Sequence, residues 1–151
     1  MTPVHHIGVV GGGAWGTALA CLARRATRRV TLWSRDPAIS GSIVHKRVNP
    51  VYLPGQILEP GIEAAAALAS LGGCDVLLLA CPAQAVRALV RELPPEIPIV
   101  ICAKGIEART GLLMPEVLAD ILPGRPFAML SGPSFPEEAA HRAMLGKFYH
   151  R

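Results

Sequence analysis

The stretch Ile7–Arg25, IGVVGGGAWGTALACLARR, decides the reading of this chain. Ile7 to Val10 is a short apolar run of strand length, and from Ala14 to Arg25 apolar residues recur at helical spacing. Val30 to Trp33 returns to a strand-like run, so the three segments read as a βαβ unit. At the joint between the first strand and the helix, Gly11, Gly13 and Gly16 match the pattern G-x-G-x-x-G. Gly11 permits the tight turn. Gly13 lets the backbone approach a pyrophosphate with no Cβ in the way, and Gly16 lets the helix pack closely on the strand. The helix N-terminus then points amides without intrahelical partners at the phosphates. Outside this context the glycines would be a plain turn. Within it, the remaining competitor is the related loop of S-adenosylmethionine-dependent methyltransferases, which lacks the features described below.

Outward from this unit, strand and helix keep alternating. Asp75 to Ala80 (DVLLLA), Ile97 to Cys102 (IPIVIC) and Phe127 to Leu130 are compact apolar segments, separated by helical patterns over Ala83 to Leu93 and Thr110 to Leu122. Ala64 to Leu71 reads as an alanine-rich helix, preceded by a short strand around Ile57 to Glu59. Pro94, Pro95 and Pro98 mark a loop between a helix and its following strand. The expected fold class is α/β: a Rossmann-like doubly wound, mostly parallel six-stranded sheet with helices on both faces. With 151 residues, 51% of them hydrophobic and only 5% aromatic, the composition suits one such domain with a sizeable core. Residues 1–140 are assigned to it, with no boundary inside.

Part of the formal charge of +4 comes from Arg24, Arg25, Arg28 and Arg29, where the first helix ends and the second strand begins. Cations there complement the helix dipole. No aromatic residues are interleaved and no further basic stripe follows, which argues against a nucleic-acid partner. Cys21, Cys74, Cys81 and Cys102 stand singly with no C-x-x-C pair, so neither a metal site nor a disulfide framework is expected. The start has no basic segment ahead of an apolar run, and the first apolar run is broken by Gly11 to Gly13; neither a signal peptide nor a membrane span is expected. The default compartment is the cytoplasm.

About 20 residues past the glycines, proteins of this type that use NAD place an acid on the ribose 2′-hydroxyl. This chain reads Trp33-Ser34-Arg35-Asp36-Pro37 there. Arg35 can hold a 2′-phosphate with two parallel hydrogen bonds. Asp36 is a candidate for the NAD-type acid, but Asp followed by Pro is also a helix N-cap with proline at the first helical position. The cap reading is favoured, so the expected cofactor is NADP with NAD tolerated.

Five segments resemble, in order and spacing, the bacterial NAD(P)-dependent glycerol-3-phosphate dehydrogenase family. They are Gly11 to Ala20 (GGGAWGTALA), Asn49 to Gly55 (NPVYLPG), Ala80 to Pro82 (ACP), Cys102 to Glu107 (CAKGIE) and Leu130 to Glu138 (LSGPSFPEE). The resemblance implies reversible reduction of dihydroxyacetone phosphate to sn-glycerol 3-phosphate, feeding glycerophospholipid synthesis. It implies cofactor contacts at Gly11, Gly13, Ala14, Trp15, Gly16, Arg35, Tyr52, Lys104 and Pro136, and substrate contacts at Lys104, Gly132 and Ser134. Tyr52 and Leu53 would wall the nicotinamide side, and Pro82 would open a helix and position a loop over the cofactor. None of the five histidines matches a family contact. For the full-length family a homodimer is compatible with the resemblance.

Two departures qualify it. Pro136 stands where the family usually has alanine, and proline removes an N–H that could donate. After Ala140 the resemblance stops: residues 141–151 (HRAMLGKFYHR) read as a divergent tail, like that of a frameshift or early stop. Family members continue through another strand and a mostly helical substrate domain that carries the acid/base lysine. That domain is expected to be absent here, so no catalytic residue is assigned within the chain. Two other readings stay open: a non-catalytic dinucleotide-binding module or pseudogene product, and another dehydrogenase of the 2-hydroxyacid type.

Overall fold

A computed structural model describes residues 3–131 and 135–140; Gly132, Ser134 and the tail 141–151 lie outside the described residues. The strands are β1 (His6–Val10), β2 (Arg29–Trp33), β3 (Ile62–Ala64), β4 (Val76–Leu79), β5 (Ile99–Ile101) and β6 (Phe127–Met129). They form one six-stranded sheet in the order β3-β2-β1-β4-β5-β6, every pairing parallel. The sheet is therefore wholly parallel where a mostly parallel one was expected. The chain reverses its direction of travel across the sheet between β1 and β4, the switch point at which ligands of open α/β sheets bind.

The connecting helices are α1 (Ala14–Arg25), α2 (Pro37–Lys46), α3 (Val86–Glu92) and α4 (Met114–Ile121), with a short α5 (Pro136–Ala140) against α1. Strand side chains alternate between the two faces. Val9, Val30 and Leu32 join α1 and α2 in one core layer, while Val10, Leu77 and Leu79 join α3 and α4 in the other. The inner face of α1 carries Ala18, Ala20, Cys21 and Ala23, small residues that let the helix lie close to the sheet. Arg24, Arg25 and Arg29 close the end of this layer: Arg24 donates to the carbonyls of Pro60 and Arg28, Arg25 pairs with Glu59, and Arg29 pairs with Glu63. They hold loops and strand ends as well as complementing the helix.

Several boundaries differ from the sequence reading. The third strand lies at Ile62–Ala64, after the expected Ile57 to Glu59, which is a loop. There Leu58 is buried and its amide donates to the carbonyl of Arg47. The alanine-rich stretch forms no α-helix. Ala64 ends the strand, the Ala65 amide prolongs the ladder by donating to Leu32, and only a 3₁₀ turn, Leu68–Gly73, follows. The helix expected from Thr110 begins at Met114, and Pro82 precedes a short 3₁₀ turn, Ala83–Ala85, rather than opening α3 directly.

Candidate dinucleotide site

The carboxyl ends of β1, β2, β4 and β5 open onto a cavity of about 980 Å³. Its floor is the glycine turn. Gly11 takes φ +123°, its amide donates to the Trp33 carbonyl at 2.9 Å, and a Cβ on it would lie 2.7 Å from the Ala80 carbonyl oxygen. A Cβ on Gly16 would lie 1.9 Å from the Gly11 carbonyl oxygen. Gly16 is thus buried where α1 packs closely on the turn, the close-packing role that the third glycine of the motif implies. Gly13 differs from both. It caps α1 at φ −74°, open to any residue, and a Cβ on it would meet nothing within 4 Å. The space beyond Gly13 is left open on the cavity side, as a close-lying phosphate requires.

Gly13, Ala14 and Trp15 line this floor. The first intrahelical bond runs from the Thr17 amide to the Gly13 carbonyl, so the amides of Ala14 to Gly16 lie in the unbonded first turn. The indole Nε1–H of Trp15 is buried and donates to no acceptor among the described residues, a polar group that a bound ligand would satisfy. These two features, an open cradle and an orphaned donor, fit a dinucleotide.

Arg35 is exposed on the rim, two residues past β2. Beside it, Asp36 Oδ1 accepts from the Ala38 amide at 2.9 Å, with Pro37 at the first position of α2. The cap role favoured for Asp36 is therefore the one it fills. Tyr52 is exposed and lines the cavity, whereas Leu53, expected beside it, is 1% exposed and belongs to the α1–α2 core. Pro136, the first residue of α5, also lines the cavity. At the first turn of a helix its missing N–H leaves no intrahelical bond unmade.

Lys104 is exposed and lines the cavity, on the loop that follows β5. That loop is braced on both sides by residues the sequence reading did not single out. Gln84 donates to the Ile106 carbonyl and accepts from the Ala108 amide, both at 2.9 Å. Glu107, only 6% exposed, takes Arg87 Nε at 2.8 Å and Nη2 at 3.0 Å and accepts from the Thr110 hydroxyl, while Arg87 Nη1 reaches Asp120 at 2.7 Å. The Arg87 guanidinium holds the Glu107 carboxyl down at about 2 and is itself raised by that pairing.

Gly12, an unassigned position of the motif, is also constrained: a Cβ there would lie 2.8 Å from Ser34. Cys81 and Cys102 reach the cavity, but burial pushes both thiols up to about 11, so they are neutral near pH 7. All four cysteines are free and buried, as small apolar residues would be. Among the described residues, no group of His, Cys, Asp or Glu could hold a metal ion, and no helix is long and apolar enough to cross a membrane.

A family model described as the NAD-dependent glycerol-3-phosphate dehydrogenase N-terminus matches residues 6–146. The chain belongs to this family. The match runs to residue 146, so the resemblance does not stop after Ala140 as expected, and its last six residues lie outside the described residues. Among its relatives are the proteins named glycerol-3-phosphate dehydrogenase (NAD(P)+) of Rhodospirillum rubrum, 49% identical over 142 residues covering 91% of this chain and 41% of that protein, and of Caulobacter vibrioides, 49% identical over 138 residues covering 89% and 42%. The chain thus spans about two fifths of the length of these curated relatives. The crystal structure of glycerol-3-phosphate dehydrogenase from Coxiella burnetii superposes with a TM-score of 0.79 at 31% identity, over 91% of this chain and 43% of that one. A Dunaliella salina structure, at 22% identity and a TM-score of 0.75, shares the fold.

Proposed function

We propose that this chain is the cofactor-binding half of a glycerol-3-phosphate dehydrogenase, binding NADPH, and NADH less tightly, in the cavity over the glycine turn. The observation that carries the reading is the pairing of an open cradle at Gly13 with the unsatisfied indole donor of Trp15, in a member of that family. When bound, the nicotinamide cofactor supplies the hydride for interconverting dihydroxyacetone phosphate and sn-glycerol 3-phosphate. The protein's part is holding and orienting. The amides at Gly13, Ala14 and Trp15 take the pyrophosphate, and Arg35 takes the 2′-phosphate that distinguishes NADP from NAD. Tyr52 and Pro136 wall the cavity, and Lys104 meets the substrate phosphate, with Gly132 and Ser134 as its companions.

Reduction of a carbonyl also needs a positioned proton donor, worth roughly 10² to 10⁴ in rate. Lys104 is assigned to the phosphate end and Arg35 to the 2′-phosphate, and the described cavity lining offers no further Lys, Arg or His to donate that proton. The 151-residue chain alone therefore binds cofactor without turnover. We place the activity in the cytoplasm, in glycerophospholipid synthesis. A chimera in which this chain replaces the matching part of the Rhodospirillum rubrum relative is expected to oxidise NADPH when given dihydroxyacetone phosphate, while the chain alone binds NADPH and leaves the ketone unreduced. A folded, NADPH-binding chimera inert towards that substrate would overturn the assigned activity, and ordinary turnover by the chain alone would overturn the division of labour.

A further inference from the structure

We infer that Asn49 is a positioning residue for cofactor binding: it presets the glycine turn before the ligand arrives and ties that turn to the loop carrying Tyr52. The inference rests on the reading of the cavity as a dinucleotide site. Asn49 is 0% exposed, at the start of the NPVYLPG loop between α2 and β3. Its amide nitrogen donates to the Gly12 carbonyl at 2.9 Å and to the Thr17 hydroxyl oxygen at 2.8 Å. Its Oδ1 accepts from the Tyr52 amide at 3.1 Å. The orientation of the side-chain amide is fixed by its neighbours, since the Gly12 carbonyl can only accept and the Tyr52 amide can only donate. Both amide hydrogens and the oxygen are thereby used within protein.

The consequence lies in the peptide between Gly12 and Gly13. No described peptide bond is cis, so the C=O of Gly12 and the N–H of Gly13 point in opposite directions. Drawing the Gly12 carbonyl inward onto Asn49 turns the Gly13 amide outward, to the side where Gly13 lines the cavity. The second bond, to Thr17 within the first turns of α1, keeps the helix start in register with that peptide. The third holds the backbone of Tyr52, which lines the same cavity. A donor already aimed at the phosphate needs no reordering on binding, which is how preorganisation raises affinity.

The test uses the purified 151-residue chain and two ligand classes: NADPH and ADP, which carry a diphosphate, and 2′-AMP, which does not. In Asn49→Ala, affinity for NADPH and ADP is expected to fall about tenfold or more while affinity for 2′-AMP, held at the Arg35 end, stays within about twofold. A merely structural role would weaken all three ligands in step with lost stability. Because removal of a buried amide can prevent folding, Thr17→Val provides a second variant of the same shape that strips one partner from Asn49. It is expected to lose a few-fold on the diphosphate ligands alone. Equal affinity of the variants and the unsubstituted chain for NADPH and ADP, or equal losses across all three ligands, would overturn the role of Asn49. Absence of NADPH binding by the unsubstituted chain would overturn the reading of the cavity, and this inference with it.

Discussion

Replacing Gly13 and Gly16, one at a time, by alanine separates the two jobs of the glycine turn. At Gly16 the new methyl would start 1.9 Å from the Gly11 carbonyl oxygen, so either α1 or the turn must move by more than an ångström. Overpacking of this kind costs roughly 1 to 3 kcal/mol and more where backbone is the obstacle. Gly13 has an ordinary φ of −74° and nothing within 4 Å of its Cβ position. Alanine there should change stability by less than about 1 kcal/mol, a gain from the stiffer unfolded chain opposing a small loss at the cap. The methyl stands where a phosphate oxygen must come to meet the first-turn amides. Loss of one charge-assisted hydrogen bond costs about 1.5 to 3 kcal/mol, or about tenfold to a hundredfold in affinity. Thermal unfolding by circular dichroism and titration with NADPH read the two effects apart. Gly13→Ala is expected to melt with the unsubstituted chain and bind weakly, and Gly16→Ala to melt early or fail to fold. Unchanged NADPH affinity in Gly13→Ala would refute the placement of the pyrophosphate.

Two further predictions concern charge. Arg35→Ala should weaken NADPH binding by about 1.5 to 3 kcal/mol and leave NADH nearly untouched, the loss shrinking as salt is added because Arg35 is exposed; equal losses for both cofactors would remove Arg35 as the discriminator. Glu107 is held at about 2 against an ordinary 4.5, so its contribution to stability is fully present above about pH 4.5 and is lost as the pH falls from there towards about 2. The gap in unfolding midpoint between the unsubstituted chain and Glu107→Gln should accordingly be wide near neutral pH and narrow towards about pH 3; a gap independent of pH would show that the pairing with Arg87 does not stabilise the charged form.

The βαβ unit was legible because its signals are local: an apolar run, glycines at fixed offsets and a helix whose bounds, Ala14 to Arg25, the periodicity predicts and the structure reproduces. Asp36 and Pro37 were legible for the same reason, a cap being settled within three residues. What escaped depends on contacts distant in sequence. Ile57 to Glu59 looks like a strand, but Leu58 is apolar because it plugs the core beneath a loop and Glu59 is spent on Arg25. Ala64 to Ala67 has high helix propensity, yet the chain needs Ala64 as a strand residue beside Leu32, and tertiary pairing overrides the local preference. Asn49 and Glu107 are polar residues in loops, with no period to mark them, and their partners lie 37 and 20 positions away, at Gly12 and Arg87. The motifs that quoted them carried a resemblance and no geometry.

The most direct measurement is a titration of the isotope-labelled 151-residue chain with NADPH, following each backbone amide and the Trp15 indole by two-dimensional NMR. The amides of Gly12, Gly13, Ala14 and Trp15 and the indole Nε1–H are expected to shift most and to saturate together. Residues around the separate hollow at Pro95 to Pro126 should stay in place. Saturating NADPH that leaves the glycine turn and the indole unmoved, or that shifts only residues remote from them, would contradict the assignment of this cavity to the cofactor.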